Sequence, residues 1–418
     1  MLVLALITLG SHGNLSAPTW DDVRPIVARH CAACHQAGGE APFRLDRASD
    51  LAARRTFSAA VVRAGLMPPW LLGPGSVPIH GRGPLSDADR DLLLAWLDAG
   101  APHAADAAPA VPAETPPTDA DVITLPLQAG YDIPAESEVT IHSHVHDVRT
   151  FALPLVNDEP MLVRALRWRS PLVNAVHSVA ISADPTGQSD RADALEDDPG
   201  YQMSGDVGAR PAGTLGVLGV GARELNLPEG FAFEIPPGSS IVSQVSYRPT
   251  GRELPLLGEV ELDAAHPEEA VRILDTFGVM KPWLKLAAGE RRNENATMVL
   301  PMAIDVVAMS PRGDHYLRSM RLTATPPGGE PRLLLNFPDW DMHWRETHVL
   351  EQPLRLPAGT RFDLEVNVDN TDDNPRNLNY PAEDIVLGRF TGVDGVLIHA
   401  AAVENHEDYR DWVRSLLR

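Results

Sequence analysis

A chain of 418 residues, 44% hydrophobic and 22% charged, has ordinary globular composition and length for two or three domains. Thirty-five Lys and Arg against 57 Asp and Glu leave a formal charge of −22, which repels phosphate backbones and anionic lipid and excludes nucleic acid as an expected partner. Two cysteines close at most one disulfide, and Cys31 and Cys34 are too near in sequence to staple a large fold, so their purpose is local.

Residues 1–17 open on MLVLALITLG, about half the apolar length that spans a bilayer. The run reads as the core of an export signal or a membrane anchor, although the usual basic leader is missing; a buried strand is the alternative. Residues 18–103 carry helical periodicity. TWDDVRPIVARH opens the segment, and LSDADRDLLLAWLDAG closes it, with Ser86 as N-cap, Asp89 three residues later and Gly100 as a stop. A small all-α domain is expected there. Residues 104–120, AADAAPAVPAETPPTDA, have no apolar period and read as an Ala/Pro-rich linker. Beyond it come short alternating runs such as EVTIHSHVHDV, FAFEIPP, SIVSQVSYRP and RFDLEVNVDN, divided by Pro- and Gly-rich turns. So much alternating chain argues for two all-β sandwiches, 121–283 and 284–418, divided near Lys281 to Glu290.

Cys31-Ala32-Ala33-Cys34-His35 is the attachment signature of a covalent c-type haem. One turn presents both thiols to one edge of the porphyrin, and the next residue places its imidazole under the iron. A redox dithiol and half of a zinc site are the rival readings, but no second Cys pair and no thioredoxin-like βαβ pattern accompany the motif. Further on, Met67 in Gly65-Leu66-Met67-Pro68-Pro69-Trp70 could reach the far face of the iron as sixth ligand; a core methionine is the plainer alternative. From Thr19 to about His103 the segment resembles a small class I cytochrome c domain, and such domains mature outside the cytoplasm, which implies a periplasmic or otherwise extracytoplasmic protein.

DVRTFALPL at 147–155, NAVHSVAIS at 174–182, Pro199-Gly200-Tyr201, LPEGFAFEIPPGSSIVSQVSYRPTG, FPDWDMHW, LPAGTRFDLEVNVDNT and DDNPRNLNYP occur in an order that resembles the copper type II, ascorbate-dependent monooxygenases. That family includes peptidylglycine α-hydroxylating monooxygenase and dopamine β-monooxygenase, and the likeness is to its bacterial branch, where a cytochrome c domain often precedes the copper module. The resemblance implies two packed jelly rolls and two copper ions. The implied ligands are largely missing. The VHH segment reads Val176-His177-Ser178 and the QVHY segment Gln244-Val245-Ser246-Tyr247, so His177 alone remains of the first site. At the second, Pro311-Arg312-Gly313-Asp314 stands for the histidine pair and Asp394-Gly395-Val396-Leu397 for the methionine segment. One imidazole does not hold copper usefully.

Histidines occur at new places. His142, His144 and His146 alternate on an expected strand, either as a new metal site or as a solvated face, and same-face neighbours nearly 7 Å apart are wide for one ion. His343 and His348 flank Glu346, and His399 lies near the lost methionine position. The leading expectation is an exported haem c electron-transfer protein, fused to a monooxygenase-like module that has lost its copper and serving an unidentified redox partner protein. An active copper monooxygenase fed by its own haem and a structural or assembly subunit of a redox complex are the alternatives.

Overall fold

The protein is described here by a computed structural model covering residues 17–37, 39–81, 83–110, 122–137, 147–172, 174–203, 213–265, 271–281, 283–388 and 394–416. Its contacts divide the chain into two units, one of Met1–Gln36, Phe43–Pro69 and Pro84–Glu114, the other of Ala37–Pro42, Trp70–Gly83 and Thr115–Arg418.

The first unit holds helices Trp20–His30, Ala48–Ala53, Arg55–Arg63 and Asp87–Asp98. Thr19 starts the first helix by donating both its N–H and its hydroxyl to Asp22 Oδ2 at 2.7 Å, and Ser86 caps the last by accepting from Asp89 N–H at 3.0 Å. Trp20, Val23 and Val27 share one helical face and meet Leu93, Trp96 and Leu97, with the two indoles 5.6 Å apart between ring centroids. Both indole N–H groups are satisfied, by Ala108 O and Pro102 O. The start of the expected linker is therefore part of this core: Ala110 is buried against the helices, and its N–H donates to Asp46 O at 2.6 Å.

The second unit is built of β-sandwiches. A nine-stranded sheet runs in the order Val122–Pro126, Glu259–Ala264, Met161–Arg169, Phe231–Ile235, Arg272–Lys281, Asp394–Ala402, Ile304–Arg312, His348–Leu356, with Glu224–Asn226 beside Met161–Arg169. Sheet Val148–Pro154, Ser240–Tyr247, Val176–Asp184, Gly213–Leu218 covers its first half, and sheet Glu290–Val299, Arg361–Asn370, Leu317–Thr325, Arg332–Phe337 its second. Each pairing encloses an apolar core. The two halves share one strand, because Arg272–Leu274 pairs in parallel with Phe231–Phe233 and Asp275–Lys281 pairs antiparallel with Asp394–Ala400. The division thus falls inside this strand, ahead of the 283/284 boundary that turn composition suggests.

Trp70–Gly83, read from sequence as part of the helical domain, is an edge of the second sandwich. Gly73 N–H donates to Asn336 O, Val77 N–H to Leu334 O and His80 N–H to Val349 O, while Leu72, Val77 and Ile79 enter the apolar core. The sandwiches also meet directly. Val307 and Ala308 pack on the first core while Val306 and Met309 pack on the second, so Ile304–Arg312 is buried on both faces. Gly219 marks a close approach, since a Cβ there would strike the Arg345 carbonyl oxygen and the Glu346 side chain. Gly219→Ala is expected to destabilise the β unit by about 1–3 kcal/mol through overpacking; urea unfolding checks it, and an unchanged midpoint would show that this contact yields freely.

Candidate functional site

In the helical unit the first helix hands its chain directly to the cysteine motif. Cys31 N–H and Ala32 N–H both donate to Val27 O, and His35 N–H donates to Cys31 O at 2.9 Å, so the two thiols and the imidazole lie along consecutive turns of backbone. His35 Nδ1 lies 2.9 Å from Phe43 O. A carbonyl only accepts, so Nδ1 carries the proton and Nε2 is left with its lone pair. The Phe43 ring lies 5.0 Å from the imidazole, and Leu45 N–H bonds the His35 carbonyl, fixing the ring from two sides. Burial and the neighbouring Cys34 push the Cys31 thiol up to about 12. That argues against a redox dithiol, which needs a thiolate of depressed pKa. Met67 follows helix Arg55–Arg63 on a loop tied by its N–H to Val61 O and is 41% exposed, so it is not the core methionine of the plainer reading.

In the β unit, His177 sits on a bulge. Val176 pairs with Tyr247 and Ser178 with Ser246, so His177 has no partner across the ladder. Its side chain is buried, at 6% exposure, and Nδ1 has no hydrogen-bond partner. The His343 ring lies 5.1 Å away and that of His315 6.2 Å from His343. Sequence reading did not bring these three together. His343 Nδ1 is 2.9 Å from Asp341 Oδ1; burial raises that carboxyl, and the bonds from the His343 ring and N–H overcome it, holding it at about 2.

The implied first copper site is occupied by chain. Arg345 Nη2 donates to Ser246 Oγ at 3.0 Å, where the family resemblance implies a ligand histidine. Burial, then the charges of Arg345, His343, Arg248 and Arg223, hold the His177 imidazole well below its usual value, so it is neutral. Arg345 itself is lowered to about 10 by burial and by Arg312, with Asp314 opposing. An imidazole with guanidinium charges on several sides does not fit copper. No group of three or more His, Cys, Asp or Glu among the described residues is placed to hold a metal ion. His142, His144 and His146 lie outside the described residues. His348 Nδ1 lies 3.6 Å from Glu346 Oε1, while His343 turns to His177, so the expected 343/348 cluster separates.

His399 is fully buried in a directional chain of hydroxyls. Thr276 hydroxyl donates to Thr214 O, which leaves its oxygen to accept from His399 Nδ1–H at 2.8 Å; Nε2 then accepts from Ser310 hydroxyl at 2.7 Å, and Ser310 oxygen accepts from Thr347 hydroxyl at 2.6 Å. Thr347 oxygen in turn accepts from Val217 N–H. Both ring nitrogens are thereby used, and this histidine is a joint between the sandwiches, with none left to ligate a metal. The signal Arg345 carried in sequence was weak: an arginine between two histidines of a loop rich in His and Trp.

No protein-family model and no curated protein sequence matches the chain. Solved structures with some likeness include the VP2 subviral particle of infectious bursal disease virus, at 9% identity and a TM-score of 0.18, covering 68% of this chain and 73% of that one. A two-domain protein of Bacteroides fragilis matches at 10% identity and 0.16, over 66% and 94% of the chains. The turret protein of Sulfolobus turreted icosahedral virus matches at 12% and 0.15, over 68% and 99%. Scores this low carry no argument about fold or function. Among the described residues no helix is long and apolar enough to cross a membrane.

Burial pushes His399 down to about 3 from 6.5. The unfolded chain therefore binds one more proton than the folded chain across that interval, so this contribution to stability is complete above about 6.5 and lost as pH falls toward 3. Urea unfolding between pH 6.5 and about 4 should show stability falling with acid, with His399→Gln reducing the slope by one proton. An unchanged slope would show that His399 does not titrate with unfolding.

Proposed function

We propose that the chain is an exported electron-transfer protein that carries one covalent haem c on Cys31 and Cys34, with His35 and Met67 as axial ligands. The carrying observation is the bond between His35 Nδ1 and Phe43 O, which in the neutral ring places the proton on Nδ1 and leaves the Nε2 lone pair to serve as a ligand. Neither Cys31 nor Cys34 is in a disulfide, and both are partly exposed, as the haem reading requires. Leu66, at 65% exposure, and Met67 present an apolar loop suited to a porphyrin face. Haem, when bound, would supply a one-electron iron couple, and ligation by both His35 and Met67 would favour electron transfer over oxygen binding. The cysteines fix the group, His35 sets its proximal side, and the Val61 carbonyl holds the backbone of Met67.

In this reading the β unit is a double jelly roll of monooxygenase descent that holds no copper, and the electrons pass to or from a separate redox partner protein. An extracytoplasmic location belongs to the same reading, with any membrane tether confined to the N-terminal apolar segment. Protein made in a host competent for cytochrome c maturation should keep its pigment through acid-acetone extraction. Colourless protein from that host overturns the reading. Met67→Ala should abolish the charge-transfer band that sulfur ligation gives a ferric haem while the pigment stays attached; a retained band would assign the sixth position to another residue.

A further inference from the structure

Three buried nitrogens at and near His177 have no hydrogen-bond partner among the described residues: His177 Nδ1, Arg345 Nε and Arg223 Nη1. An unmet donor in such a place is costly, and more so when the group is charged. Satisfied bonds hold the groups in place around them. Arg345 Nη2 is held by Ser246 Oγ, while Arg223 is fixed through Nε to Glu40 at 2.5 Å and through Nη2 to Val176 O at 2.6 Å. These donors are fixed in direction and have nothing to donate to.

The charge around them is mainly positive. His177 feels the positive charges of Arg345, Arg248 and Arg223, and Arg345 feels that of Arg312, with Asp314 as the opposing carboxylate and Glu40 already engaged by Arg223. A cation entering here meets guanidinium groups. An anion meets two unused N–H edges and a neutral imidazole whose Nδ1 can donate. The His343 ring, 5.1 Å from His177, is half exposed and bonded to Asp341.

We propose that the bulge at His177 and the Arg345 guanidinium form a binding site for a small carboxylate-bearing ligand, in place of the metal. A carboxylate suits the donors because it is a planar oxyanion of single charge: one oxygen can take Arg345 Nε–H and the other His177 Nδ1–H. The site deepens that part of the functional reading in which the β unit holds no copper. It is independent of the haem.

The test uses the full-length protein with isotope-labelled histidine, titrated with acetate at constant ionic strength, with chloride as control. The His177 ring resonances should shift saturably with acetate and not with chloride. Arg345→Gln should weaken that response about tenfold or more, the equivalent of one charged hydrogen bond. Arg248→Gln, which removes an exposed charge of the same sign, should leave it within about twofold. A linear response in the wild type, or equal weakening by both substitutions, overturns the site, the latter because it indicates general charge screening. Copper is added to a separate sample. Saturable perturbation of His177 by copper with none by acetate overturns the proposal and the copper-free reading together, whereas failure of acetate with no copper effect sinks the proposal alone.

Discussion

The β unit depends on a single strand that changes partners midway. Arg272–Lys281 lies parallel to Phe231–Ile235 for three residues and antiparallel to Asp394–Ala402 for the rest, so two sandwiches share one hydrogen-bonded sheet. That continuity turns what would be a surface between domains into a core. Strand Ile304–Arg312 is then covered on both faces, and every polar side chain caught there needs a partner at fixed distance. The hydroxyl chain through Thr276, His399, Ser310 and Thr347 answers that need, linking strands of both sandwiches to the loop that carries Arg345.

The same loop alters the chemistry of the His177 region. A divalent ion held by imidazoles and a guanidinium held by serine both put positive charge beside a buried ring. The ion can leave, change oxidation state and accept a lone pair; the guanidinium can do none of these, and it can donate. Ser246 Oγ accepts from Arg345 Nη2, and His177 sits on the bulge of the strand that pairs with Ser246 and Tyr247.

Much of the architecture was legible in the sequence because it rests on local signals. The Thr19 and Ser86 caps, the Trp20-Val23-Val27 face and the alternation of Arg361–Asn370 are all read within one element. The haem motif is equally local. The rest depends on distant pairing. Nothing near Val77 announces that its N–H bonds Leu334 O, and the Ala/Pro-rich composition of 104–120, without an apolar period, hides the burial of Ala110. Counting donors in the VHH-like and QVHY-like segments shows only that the ligand set the resemblance implies is incomplete; that Arg345 bonds Ser246 is a contact across about a hundred residues.

The segment Trp70–Gly83 shows that the two units are stitched rather than strung. The chain leaves the helices after Pro69, contributes an edge to the second sandwich through Gly73, Val77 and Ile79, and then returns to form helix Asp87–Asp98. A single break in the Ala/Pro stretch would therefore leave the amino-terminal fragment bound by this edge to the rest of the protein. Transplanting the helical unit as a free cassette would mean removing Leu72, Val77 and Ile79 from a core that already counts them.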